Sequence, residues 1–182
     1  VSDVVVNVVH QDVVTSDGPS FRASRRREGT EFLAGTDNWF RPVNLAVGPE
    51  GAVYVVDMHR AVIEHPEWIP EPVQKRLDLR AGDDKGRIYR IVPRNGLQPV
   101  RPQLSSAPVA ELVAALERPN KWWRDTAQRL LVERQDKSSV SLLERLLGKS
   151  ESAEGRLHAL WALEGLQSLA PAAVIAALND PS

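Results

Sequence analysis

Sixteen residues, "PRNGLQPVRPQLSSAP" from Pro93 to Pro108, carry four prolines and a glycine. Proline lacks an amide donor and locks φ, so no long helix or strand runs through such a segment. It separates two kinds of sequence. Before it, β-branched runs alternate with turn residues, and the first 100 positions hold eight of the 11 glycines and eight of the 13 prolines. After it, Ala, Leu, Glu and Arg recur at helical spacing. The chain therefore reads as a β part over residues 1–95, a linker over 96–107 and a helical part over 108–182.

In the β part, the valine-rich "DVVVNVVHQDVV" (Asp3–Val14) predicts a strand that ends at the turn "SDGP", with "SFRASRR" as its partner. Val43, Leu45 and Val47 alternate with Asn44 and Ala46, the period of two of a strand with unlike faces. "GPEG" (Gly48–Gly51) is a turn, "AVYVVDM" the return strand and "GRIYRIV" a third strand. Between the last two lie the 24 residues 61–84. Connections of that length are usually functional or disordered. The apolar anchors in "VIEHPEWIP" and a short helix in "EPVQKRLDL", with Pro72 in its first turn, predict an ordered insertion.

The helical part repeats itself. Leu116, Leu147 and Leu178 are each 31 apart, as are Leu112, Leu143 and Val174, and Leu130 precedes Trp161 by the same interval. A fixed period of this size with two helices per unit marks an α-solenoid. Helices are expected near 108–117, 120–134, 138–147, 154–166 and 170–178, with Asn120 and Ser138 as N-caps and Pro108 in a first turn.

Charge narrows the functional classes. Residues 1–100 carry 13 Lys/Arg against 14 Asp/Glu and residues 101–182 carry 10 against 10, so neither half offers the basic face of a nucleic-acid binder. The cluster Arg25–Arg27 reads as a solvated edge or turn. The absence of cysteine removes disulfides, thiolate catalysis, Cys-ligated zinc and covalent haem within these residues. No apolar run is long enough to span a membrane.

"FRPVNLAVGPEGAVYVVDMHR" followed by "GRIYRI" resembles the repeating blade of glucose/sorbosone-dehydrogenase-type β-propellers. The longer run through "EFLAGTDNWFRPVNL", "DMHRAVIEHPEWIP" and "RLDLRAGDDKGRIYRIVP" is similar to the membrane-bound dehydrogenases of planctomycetes and relatives. In that group a propeller precedes HEAT-like repeats, and "WWRDTAQRLL" (Trp122–Leu131) and "RLHALWALEGL" (Arg156–Leu166) fit the second part. The resemblance implies a multidomain β + α chain: about two antiparallel blades of a β-propeller, then an α-solenoid of HEAT-like repeats. It implies a quinoprotein-type dehydrogenase acting on a sugar or related alcohol, with pyrroloquinoline quinone and calcium as cofactors. It also implies a periplasmic or cell-envelope parent, and a c-type cytochrome module or another protein docked on the repeats. Any haem module lies outside this chain, which reads as a piece of a longer protein and by itself is expected to be inactive.

Blade geometry would bring Arg41, Asp57, His59, Arg60 and the insertion 61–84 together on one rim. His59 is the candidate catalytic residue, as a base or a partner to a quinone; equally, a histidine at a strand end hydrogen-bonds a neighbouring loop. Asp57 can orient His59 or Arg60, or cap the loop. Arg41 and Arg60 can clamp a carboxylate or phosphate, or pair with Asp57 and Glu64. No metal site is expected: His59 and His65 match no ligand spacing, and Asp78, Asp83 and Asp84 lack the EF-hand pattern. "GDDKG" reads as a turn, Trp122 and Trp123 as interhelix packing, and His158 as a structural histidine. The competing reading is a non-enzymatic carbohydrate- or protein-binding propeller with a HEAT-like docking scaffold.

Overall fold

The computed structural model describes all residues from Val1 to Ser182. They form two compact units, the first made of Val1–Ala46 with Ala52–Gly96 and the second of Val47–Gly51 with Leu97–Ser182.

The first unit is built of short strands: β1 (Ser2–Asp3), β2 (Val8–Val9), β3 (Asp12–Asp17), β4 (Ser20–Arg25), β5 (Leu33–Ala34), β6 (Pro42–Val47), β7 (Val53–Asp57) and β8 (Arg87–Ile91). They make three small sheets, ordered β1-β2-β5, β3-β4 and β6-β7-β8, and none closes on itself. β3 pairs antiparallel with β4 from Asp12↔Arg25 to Asp17↔Ser20, and β7 with β8 from Val53↔Ile91 to Asp57↔Arg87. The continuous strand expected over Asp3–Val14 is absent. Asp3 Oδ1 accepts from the amides of Val5 (2.8 Å) and Val6 (3.2 Å), and Asn7 turns left-handed at φ 59°. A short acceptor side chain has offered the backbone a turn in place of the ladder, and valine content does not outweigh it. The apolar core of this unit is small. Val9, Phe40 and Val55 are its buried members, with Leu33, Leu45, Val53 and Ile91 packed around them.

In the second unit α2 (Val109–Ala115), α3 (Lys121–Arg134), α4 (Val140–Lys149), α5 (Ala153–Gly165) and α6 (Pro171–Ala177) lie within three residues of the spans their periodicity predicts; the remaining helix, α1 (Glu71–Gln74), belongs to the first unit. Asn120 caps α3 as expected, its Oδ1 accepting from Trp122 N at 2.9 Å. Ser138 is not a cap. Asp136 takes that role, accepting from Ser138 N, and Pro108 occupies the N-cap position of α2 instead of its first turn. Leu112, Leu116, Leu131, Leu143, Leu163 and Leu166 form the fully buried centre. The repeat weakens at its third copy: Leu112 and Leu143 are 0% exposed and their equivalent Val174 is 40% exposed. Leu104–Ser106 form a short 3₁₀ turn, and Arg134 donates to the carbonyls of Leu104 (3.0 Å), Ser105 (2.8 Å) and Ala107 (2.6 Å). The turn 47–51 belongs to this unit: Trp123 Nε1 and Asn120 Nδ2 donate to the Pro49 carbonyl at 2.9 and 3.1 Å.

Two helical glycines differ in surroundings. A Cβ on Gly165 would lie 2.6 Å from Val132 Cγ2, and one on Gly148 would meet nothing within 4 Å. Gly165→Ala should destabilise the helical unit by about 1–3 kcal/mol through overpacking. Gly148→Ala should stabilise it by about 0.5–1 kcal/mol through helix propensity. Urea denaturation of the two variants checks both signs.

Candidate functional site

The geometry of interest begins where β7 ends. Asp57 is the last residue of that strand and its side chain is 0% exposed. Its Oδ1 accepts from two backbone amides, Arg41 N and His59 N, each at 2.8 Å. Met58 N donates to the Arg41 carbonyl at 2.9 Å, so the start of β6 and the exit of β7 are stitched together around one carboxylate. A buried carboxylate persists because it is hydrogen-bonded. Half of it is not: Oδ2 has no hydrogen-bond partner and lies 3.4 Å from His59 Nδ1 and 3.8 Å from Arg87 Nε. His59 Nδ1 is likewise buried without a hydrogen bond, so the two groups face each other at a distance slightly beyond a good one.

His59 itself is 8% exposed and sits at φ 50°. The left-handed region is unfavourable for a side chain of this size and is held only where the surroundings impose it. Its ring meets the edge of Trp39 at 5.7 Å, and Nε2 points toward Asp37 Oδ2 at 4.0 Å. A cavity of about 390 Å³ opens here, lined by Asp37, Phe40, Asp57, His59, Tyr89 and Arg90 among others. Asp37 and Trp39 belong to this site, and sequence reasoning does not single them out. Their one local signal is the Asx turn in which Asp37 Oδ1 accepts from Trp39 N at 2.9 Å.

The four residues expected on one rim do not share one cavity. Arg60, the neighbour of His59, lies on the wall of a second cavity of about 680 Å³, lined also by Met58, Ile63, His65, Leu79 and Asp83. Arg60 spends one donor there on the Leu79 carbonyl at 3.3 Å. Arg41 lines neither cavity. Its guanidinium donates to the carbonyls of Arg60 (3.0 Å), Val4 (2.7 Å) and Ala61 (3.4 Å), so it braces the chain in place of clamping an anion. Asp57 and His59 are the pair the fold brings together.

The insertion 61–84 is ordered. His65 Nδ1 accepts from Glu67 N at 3.3 Å and caps a 3₁₀ turn at Pro66–Trp68. Pro72 lies in the first turn of α1 (Glu71–Gln74), and Gln74 Nε2 ties the two turns together through the carbonyls of Pro66 (2.6 Å) and Ile69 (2.8 Å). The segment returns to its own start, with Ala61 N donating to Ala81 O at 3.2 Å. Asp78 Oδ1 accepts from Arg80 N (3.0 Å), Asp83 pairs with Arg80 (3.1 Å) and Asp84 with Lys85 (3.3 Å). These carboxylates are engaged locally and do not converge on a common point. His158 in the helical unit bonds Gln128 at 2.6 Å, and burial pushes its pKa below the ordinary imidazole value.

A second ionic cluster lies near the first strands. His10 is held between Glu31 and Asp12, each 2.7 Å from a ring nitrogen, and Glu31 also pairs with Arg25 at 2.6 Å. The Glu31 hydrogen bond first, and then Asp12, raise the pKa of His10 above its ordinary 6.5. A folded-state pKa raised above the unfolded one contributes stability that is fully present below pH 6.5 and lost as pH rises through the folded value. NMR titration should place His10 above 6.5, and His10→Gln should remove this part of the pH dependence of stability.

A family model described as Domain of unknown function (DUF7133) matches residues 1–95. No curated protein and no solved structure matches the chain.

Proposed function

We propose, from the premise that the chain belongs to the family described as Domain of unknown function (DUF7133), that Asp57 and His59 form the proton-accepting half of an alcohol-oxidation site. The observation that carries this reading is a buried carboxylate oxygen 3.4 Å from the Nδ1 of an imidazole that lines a cavity of about 390 Å³ and has its Nε2 4.0 Å from Asp37 Oδ2, on the same cavity wall. A buried carboxylate holds the imidazole with Nδ1 protonated and leaves Nε2 basic, the arrangement of a general base. His59 Nε2 takes the proton of a substrate hydroxyl, and Asp57 orients the ring and stabilises the imidazolium that forms.

The resemblance to glucose/sorbosone-dehydrogenase-type propellers supplies the rest: a sugar or related alcohol as substrate, in a periplasmic or cell-envelope parent that passes electrons to a cytochrome module. It is supported by the exposed apolar side chains of the small sheets, such as Val14 (62%), Phe21 (72%) and Ile88 (66%), which suit blades packed between neighbours. The 31-residue period in the helical unit supports HEAT-like repeats. Pyrroloquinoline quinone and calcium come only from the resemblance. Arg41 spends three of its donors on backbone carbonyls, and the carboxylates of Asp78, Asp83 and Asp84 make local contacts and do not converge on a common point. The contribution of these residues therefore ends at the hydroxyl proton, and the hydrogen of the substrate's α-C–H bond leaves with its electron pair, as hydride, to a quinone-class acceptor they do not hold. A second reading, a non-enzymatic docking module, is favoured by a groove of about 340 Å³ between α2 and α4, lined by Val113, Leu142 and Leu146 together with Arg145 and Lys149.

Dye reduction by the full-length protein across a panel of sugars and alcohols tests the reading. His59→Gln should lower kcat by about 10²–10⁴-fold. Unchanged turnover in a folded His59→Gln protein would overturn His59 as the base, and no dye reduction by the folded full-length protein with any substrate of the panel would favour the docking module.

A further inference from the structure

The insertion returns to the one place in the first unit where backbone strain and the candidate base coincide. Gly82, at φ 92°, passes so close to the His59 carbonyl that a Cβ would lie 2.2 Å from it. Beside that contact Ala81 O accepts from Ala61 N (3.2 Å) and Leu79 O from Arg60 (3.3 Å). On the other side Arg41 holds the carbonyls of Arg60 (3.0 Å) and Ala61 (3.4 Å). His59 itself is gripped through its amide by Asp57 Oδ1 at 2.8 Å. Residues 59–61 are thus fixed from the strand end, from Arg41 and from the segment 79–82, and His59 stays left-handed within that frame.

We infer that the insertion 61–84 is a positioning strap for His59, and that Gly82 is the positioning residue within it. The strap acts on the backbone at His59. It fixes the carbonyl and the following peptide, and so sets the direction in which the ring leaves the chain. Any other residue at position 82 meets the His59 carbonyl, which must move by tenths of an ångström or more. The ring then turns relative to Asp57 Oδ2, where the separation is already 3.4 Å. The strap also accounts for the length of the insertion, because the chain has to travel out and come back across residues 59–61 before β8 can begin. The inference rests on the reading of His59 as the base for its consequence, but not for its geometry.

Gly96 supplies the control, since it also has positive φ (76°) but a Cβ there would meet nothing within 4 Å. Both alanine variants carry the backbone cost, and only one collides. In the 182-residue chain the four histidines can be followed by ring ¹H–¹⁵N correlation across pH. Gly82→Ala should shift the His59 ring resonances while those of His10 and His158 stay put, and Gly96→Ala should leave all of them unchanged. Should Gly82→Ala fail to fold, Arg41→Lys, which loosens the same peptides from the opposite side, should produce the His59 shift. A folded Gly82→Ala chain, or in its place a folded Arg41→Lys chain, whose His59 signals coincide with the parent's overturns the strap. This readout needs no substrate, so a His59 that moves without serving as a base leaves the strap standing and removes only the base.

Discussion

One buried carboxylate organises the first unit. Asp57 Oδ1 accepts the amides of Arg41 and His59 at 2.8 Å each, and by doing so closes the exit of β7 on the entry of β6. Leaving either donor unmatched in the interior would cost on the order of 1–3 kcal/mol. The small apolar cluster around Val9, Phe40 and Val55 has little to set against such a loss. The polar stitch is therefore as structural as the core. Its other oxygen is a separate matter. Oδ2 is buried and makes no hydrogen bond; its charged neighbour is Arg87 Nε at 3.8 Å, and it faces the imidazole of His59 at 3.4 Å.

Much of the architecture is legible in the sequence, for local reasons. Helices at 31-residue intervals declare themselves through leucines that fall on one face, and Asn120 declares its cap. The hairpin around Gly48–Gly51 follows from turn chemistry and alternation, and Gly51 adopts φ 89° as such a turn requires. The features that escape the sequence are also local, but subtler. Nothing in the valine count of Asp3–Val14 reveals that Asp3 will bond the amides of Val5 and Val6 and cut the strand. At Lys137–Ser139 two polar residues could serve as a cap, and the chain uses Asp136.

The candidate site is legible in part. Asp57 and His59 are two residues apart at a strand end, so their proximity is close to guaranteed. The left-handed turn at His59 is not, and Gly82, which packs against the His59 carbonyl, lies 23 positions later. The expected rim is divided between two cavities, with Asp57 and His59 lining one and Met58 and Arg60 the other. Arg41 suggests an anion site because a free guanidinium suits one. The three carbonyls that occupy it come from Val4, Arg60 and Ala61, and only the folded chain brings them together. The His10–Glu31 pair, 21 residues apart, shares this dependence on the fold. Contacts made by backbone carbonyls carry no side-chain signature, so sequence patterns do not announce them.

The central claim is that Asp57 presents an acceptor to Nδ1 of His59 and leaves Nε2 as the basic atom toward the cavity. The tautomer of neutral His59, read from its ring ¹⁵N shifts above its titration midpoint, tests this without any substrate. The account predicts the Nδ1–H form, and a shift toward the other form in Asp57→Asn. A predominant Nε2–H form in the unaltered chain would contradict it, since a lone pair would then face the carboxylate and no base would face the cavity.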